Sequence, residues 1–235
     1  MIGTLINVGA VITGSLLGLL LGSRFPARIK QTLMAAIALF TIGLGIQMFL
    51  ETENAMLVLV SLLVGGLVGE VAGLEDKLHS LGARLEGLLT RTGGGLGSRF
   101  VQGFVASSLL FCVGPIAILG SIQDGLLGDY RLLATKGLMD GIASVTLAST
   151  LGVGVMASAI PLLAYQGAIT LLAHWAQASL LPSMIQELTA TGGVLLAAIG
   201  ITLLEVRPLR TASLLPALLV APLLVWILRL MGIRV

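Results

Sequence analysis

From Met1 to Gly22 the chain carries no ionisable side chain, and apolar runs of similar length, separated by short charged turns, recur to its end. This pattern constrains the solvent before it constrains the fold. A hydrocarbon core about 30 Å thick is crossed by roughly 20 apolar residues in a helix, and helices satisfy every backbone hydrogen bond without water. Charged residues make up 10% of the chain and mean hydropathy is +1.08, whereas soluble domains hold roughly 25% charged residues. The expectation is an all-α polytopic membrane helix bundle, one transmembrane domain over residues 1–235, with about seven or eight transmembrane helices.

The composition also excludes. Net charge is +2 with a pI near 9.0, but the basic residues are scattered at span ends, where cytoplasmic loops concentrate them, so nucleic acid is not an expected partner. The single Cys112 lies in an apolar segment outside any metal-ligand spacing, and no cofactor signature is present. Arg24, Arg28 and Lys30 follow the first apolar run rather than preceding it, which reads as a retained span with the N-terminus outside.

Residues 1–73 hold three expected spans, Ile2 to Leu21, Gln31 to Leu50 and Ala55 to Gly73. Small-xxx-small ladders at Gly14, Gly18 and Gly22 and at Gly65, Gly69 and Gly73 suggest that span 3 packs against span 1 or a symmetry mate, and leave a homo-oligomer open. Glu70 reads as a solvated end residue. Residues 74–91 place leucines on one stripe with Lys77, Arg84, Glu86 and Arg91 off it, the pattern of an amphipathic helix lying in the interface. His79 falls on its polar side, and Thr92 to Ser98 reads as a glycine-rich linker.

Residues 100–156 form the expected core. Span 4, Phe100 to Ser121, is interrupted at Gly114-Pro115, where proline lacks an amide donor and frees carbonyls for other partners. The segment either crosses with a break or is re-entrant. Gln123 and Asp124 follow it. Span 5, Leu132 to Met156, carries Lys136, Asp140 and Ser144 on one face. In residues 158–235, span 6 (Ser158 to Leu181) carries a polar stripe, Gln166, Thr170, His174 and Gln177, that must face protein or water. Spans 7 and 8, Thr189 to Leu204 and Ser213 to Leu228, align without a gap on spans 2 and 3: Leu39 with Leu196, Gly43 with Gly200, Leu57 with Leu214. With eight spans the units would be inverted, an architecture of secondary transporters.

The stretches Gly114-Pro-Ile-Ala-Ile-Leu-Gly-Ser-Ile-Gln-Asp-Gly125, Lys136-Gly-Leu-Met-Asp-Gly141, Ala148 to Gly154, Tyr165 to Thr170, and Thr191-Gly-Gly193 running into Ile199-Gly-Ile201 resemble the domain of unknown function 554 family, of the YdfK/YqgA type. The resemblance covers nearly the whole chain and implies a multi-pass bacterial inner-membrane protein. It implies no substrate.

From the residues, the leading expectation is a secondary transporter of an ion or small solute, with a site on spans 4–6. Asp124 and Asp140 would take a cation or proton, with H⁺ or Na⁺ coupling open; Lys136 would pair with Asp140; Gln123, Ser144, Gln166, Thr170 and His174 would line the path. A Lys136–Asp140 pair that only orients span 5, near the outer interface, is the competing structural reading. An ion channel and a membrane assembly partner without transport activity remain alternatives. An enzyme is not expected, because no nucleophile, base and orienter spacing is present.

Overall fold

The computed structural model describes residues 1–22, 26–89, 98–112, 115–173, 181–207 and 209–232. They form helices α1 (Ile2–Gly22), α2 (Ala27–Phe49), α3 (Ala55–Val71), α4 (Leu74–Leu89), α5 (Ser98–Cys112), α6 (Pro115–Leu127), α7 (Arg131–Leu151), α8 (Gly154–Ala157), α9 (Ala159–Leu171), α10 (Pro182–Leu203) and, after a 3₁₀ turn at Thr211–Leu214, α11 (Ala217–Leu230). The described residues contain no strand. The expected all-helical bundle is what forms.

The helices are polarised inside out relative to a soluble fold. On α1 the buried positions are Gly3, Thr4, Asn7, Val11, Gly14, Ser15, Gly18 and Gly22, while Leu5, Leu16, Leu17 and Leu20 are exposed. On α3, Ser61, Gly65 and Gly69 are buried and Met56, Leu59, Leu63, Leu67 and Val71 are exposed. Soluble proteins rarely leave such stripes uncovered, but lipid is as apolar as leucine, and helices there associate through small residues and hydrogen bonds. Five helical segments are long and apolar enough to cross a membrane, or seven if the bent pairs α3–α4 and α5–α6 each count once. The 21-residue α7 has the length of a span, about 31 Å at 1.5 Å per residue. Lys136 and Asp140 make it the most polar of the long helices and keep it outside that count of five to seven.

Two compact units are present: Met1–Ile37 with Leu78–Cys112 and Ile116–Ala178, and Ala38–Lys77 with Val113–Pro115 and Ser179–Val235. In the first, α1 runs parallel to α7. Gly14, Gly18 and Gly22 lie so close to the Gly141 and Val145 carbonyls and the Ser149 backbone that a methyl group on any of them would collide with α7. Helix α9 runs antiparallel to α1, its Thr170 beside Thr4 and its Gln166 beside Asn7. The bent pair α5–α6, angled by 61°, runs the length of α1 in the opposite direction. Phe100 at its start lines a cavity with Leu19 and Gly22, and Asp124 near its end accepts a hydrogen bond from the Gly3 amide at 3.0 Å. The described residues of the broken segment therefore lie alongside α1 from its end to its start.

In the second unit α2 lies antiparallel to α10, with Gly45 against Gly193 and Gly200 against Ala38. Helix α3 is antiparallel to α11, with Gly65 against Ala217 and Gly69 against Ser213. Two hairpins whose helices oppose their counterparts have the relation that an inverted repeat requires. Repetition of the ladder on α3 had suggested that span 3 packs against span 1 or a symmetry mate; within its own unit Gly65 and Gly69 meet Ala217 and Ser213. The α1 ladder is covered by α7, and Gly65 and Gly69 by α11 and the turn before it, while Gly73, the third rung expected, lies past the end of α3 with open space where a side chain would stand.

Gly73, at φ +62°, sets the 60° bend that turns α4 away from α3. At that bend Arg210 reaches Glu70 at 3.2 Å and Asp76 at 3.5 Å, and Glu75 accepts from the Ala212 amide at 2.9 Å. Glu70 is half exposed, so the end-residue reading stands, with an ion pair added. The pair also holds the α10–α11 turn beside the end of α3. Expected span 5 stops at Leu151, short of Met156, because Gly152 adopts φ +84° and starts a new helical segment.

The close α1–α7 contact is testable on one helix. Gly14→Leu should lower thermal stability by several degrees, since overpacking typically costs about 1–3 kcal/mol or more. Gly9→Leu, where a side chain meets open space, should leave the melting temperature in detergent unchanged.

Candidate functional site

The site begins with a missing proton. In an unbroken helix the amide of residue 115 would donate to the carbonyl of Phe111, four residues earlier; proline has no amide hydrogen, and the acceptor is left over. The Lys136 ammonium donates to that carbonyl at 2.8 Å. The same Nζ is bonded to Asp140 Oδ2, one turn further along α7. Both side chains are nearly enclosed, 7% and 12% exposed. Asp140 is nine residues beyond Arg131 in a helix of 21, about 13 Å along its axis. The pair therefore sits near the middle of the helix.

Around this pair the buried polar groups of the first unit form a column. Asn7 reaches Asp140 with its side chain and donates to Gln166 Oε1 at 3.3 Å. A turn nearer the start of α1, the hydroxyls of Thr4 and Thr170 lie 3.2 Å apart. Beyond them Asp124 takes the Gly3 amide and lies 2.8 Å from the amino group of Met1. In the other direction Ser15 and Ser144 are fully buried, and one turn past them Leu19 and Ala148 line a cavity of about 310 Å³ with Arg99, Ser149 and Thr150. Asn7 Oδ1, Gln166 Nε2, Ser15 Oγ and Ser144 Oγ have no hydrogen-bond partner. Unpaired buried polar atoms are uncommon in folded proteins, and each calls for a specific reason.

Of the residues singled out from the sequence, Lys136, Asp140, Gln166, Thr170, Ser144 and Asp124 all lie in this unit and are buried. Asp124 is not next to the freed carbonyl. It stands nine residues past Pro115, about 13 Å along α6, and Lys136 takes the acceptor instead. Gln123 is on the exposed side of α6, away from the column. His174 and Gln177 lie outside the described residues, as does Gly114 of the break. The sequence reading missed Thr4, Asn7 and Ser15, whose spacing of 3 and 8 places them on one face of an otherwise apolar α1. In the second unit it missed Glu187. This carboxylate, 1% exposed, accepts from the Thr52 hydroxyl at 2.7 Å and from the Glu53 and Asn54 amides at 3.0 and 3.3 Å. It closes the α2–α3 turn. Glu187 is the first acidic residue of α10, and its only sequence signal is a carboxylate within an apolar run.

A family model described as a protein of unknown function (DUF554) matches residues 2–226. The chain belongs to this family. It is 33% identical over 238 residues to the uncharacterized membrane protein YdfK of Bacillus subtilis, covering all of both chains. It is also 33% identical over 225 residues to the uncharacterized protein YqgA of Escherichia coli, covering 94% of each. No solved structure matches it. For this DUF554 chain, membership and geometry agree on a membrane protein made of many helices.

Breaking a buried pair from one side strands a charge, which costs about 3–5 kcal/mol, whereas replacing both partners by apolar groups is often neutral. Lys136→Met in sodium-free buffer should destabilise by about that amount, and Lys136→Met/Asp140→Leu should recover most of it. A double-mutant cycle of unfolding in detergent reads both.

Proposed function

We propose that this protein is a secondary transporter of a small ion or solute, and that its site is the buried column on α1, α6, α7 and α9. The carrying observation is the Lys136–Asp140 pair, halfway along α7 and anchored on the carbonyl released at Pro115. A charge at a span centre costs about 2.5–3.5 kcal/mol on insertion scales, so a pair held there by a broken helix is a functional feature by default. Transporters of this construction place their sites where a discontinuous helix exposes backbone carbonyls near the membrane midplane. The unpartnered atoms of Asn7, Gln166, Ser15 and Ser144 add capacity for a polar guest, and the cavity bounded by Leu19 and Ala148 lies one turn from Ser15 and Ser144. Asp140 is the binding carboxylate, Lys136 its internal counter-ion, and Asp124 a second carboxylate at the other end of the column. A channel fits less well, because the column is closed by direct side-chain bonds and by backbone contact between α1 and α7.

The expected orientation is N-terminus outside, in the bacterial inner membrane. In sequence, Arg28 follows α1, Lys77 and Arg84 follow α3 and Arg99 opens α5, whereas the turns after α2 and α6 carry Glu51, Glu53, Asp129 and Arg131. The basic excess marks the cytoplasmic side. In a Cys112→Ser background, Asp129→Cys should react with an impermeant maleimide in intact cells, and Lys77→Cys only after permeabilisation.

Flux into proteoliposomes, measured for panels of ions and small solutes, tests the activity. Asp140→Asn and Asp124→Asn should each lower the transported species' rate by about tenfold or more. Full wild-type flux in both variants removes the site, and stable co-purification of another protein with no flux for any solute favours the assembly-partner reading.

A further inference from the structure

We infer that the Lys136 ammonium occupies a seat for a monovalent cation, so that the chain carries a tethered cation where Na⁺ would otherwise bind. The seat is made of oxygen. The Phe111 carbonyl belongs to the last turn of α5, where a helix end concentrates unpaired carbonyls and partial negative charge. Asp140 supplies a carboxylate on the opposite side of Nζ. Asn7, whose side chain reaches Asp140, has an unpartnered Oδ1, and Ser144, one turn past Asp140, has an unpartnered Oγ. Both residues are fully buried. A backbone carbonyl at a helix break, a carboxylate, an amide oxygen and a hydroxyl are hard oxygen donors of the kind alkali cations take. One carboxylate among neutral oxygens balances one positive charge.

An ammonium on a four-carbon stem competes with free Na⁺ at a very high effective concentration, since ordering the tether is an intramolecular event. Wild-type protein should therefore bind no Na⁺ at this place, and coupling, in the transport reading of the same site, falls to the proton. Removing the ammonium should open the seat. Binding at equilibrium needs no flux, so a failed transport assay and a failed cation assay are separate results.

The test is ²²Na⁺ binding to purified protein together with melting curves in sodium chloride and in choline chloride. Wild type and Lys136→Arg should bind no Na⁺ and melt alike in both salts. Lys136→Gln should bind Na⁺ and melt about 3–5 °C higher in sodium at ten times its dissociation constant. Lys136→Gln/Asp140→Asn should lose both effects. Overturning results are Na⁺ binding by the wild type that disappears in Asp140→Asn, and a Lys136→Gln protein with no sodium-specific binding or stabilisation. Recovery of Lys136→Gln from neither salt also overturns it, because Na⁺ would refill a true cation seat.

Discussion

The first unit depends on one hydrogen-bond debt. Lipid offers no water to a broken helix, so each carbonyl that loses its intrahelical donor needs another partner from the protein. Pro115 creates that need at Phe111, and Lys136 meets it. The ammonium is itself a charge in a low-dielectric interior and requires Asp140 beside it. Proline, lysine and aspartate are thus three parts of one solution, and none is tolerable alone at this depth. The column grows from this centre. Asn7 serves Asp140, Gln166 serves Asn7, and each added polar group lowers the cost of the one before it.

Close approach of helices makes such a column possible. Side-chain hydrogen bonds between α1, α7 and α9 need short interaxial distances, and Gly14, Gly18 and Gly22 supply them by letting α7 lie directly against the α1 backbone. In water this packing would gain little apolar burial. In lipid it is the main source of association, because leucines gain nothing by leaving acyl chains for protein. The second unit applies the same rule to a different end. Gly65 and Gly69 bring the second half of α3 onto Ala217 and Ser213, and at the other end of α3 the buried carboxylate of Glu187 accepts three hydrogen bonds from the α2–α3 turn. Three donors on one carboxylate make a clasp. One ammonium shared between a carboxylate and a carbonyl, with Asn7 Oδ1 and Ser144 Oγ unpaired in the same column, is the arrangement on which the proposed site rests.

Hydropathy and turn charge made the bundle, the break at Pro115 and the Lys136–Asp140 face legible, because lipid solubility and helical periodicity are local properties of sequence. The partners were not legible in the same way. Which helix a glycine ladder meets depends on long-range register, so the pairing of α1 with α7 and of α3 with α11 had no local signal. Asn7 was overlooked for the same reason, since a lone amide in an apolar run acquires meaning only when Gln166 and Asp140 are found beside it. The depth of Asp140 was ambiguous because Arg131 and Asp129 sit nearby in sequence, and an α-helix of 21 residues separates end from middle only once its limits are known.

The course of α5–α6 follows from contacts at its two ends, and those contacts also determine the geometry around the pair. Phe100 lies at the end of α1 and Asp124 at its start, so the break falls between the cavity at one end and the second carboxylate at the other. A 61° bend at that point gives the two half-helices separate axes. The ammonium of α7 ties the last turn of α5 to the polar column. Lengthening that one contact would free the Phe111 carbonyl and Asp140 together, exposing two acceptors in the same place. A straight helix with an intact amide at position 115 would have no such coupling, because the carbonyl would stay paired whatever Lys136 did. The proline therefore links the position of one side chain to the polarity of the whole interior.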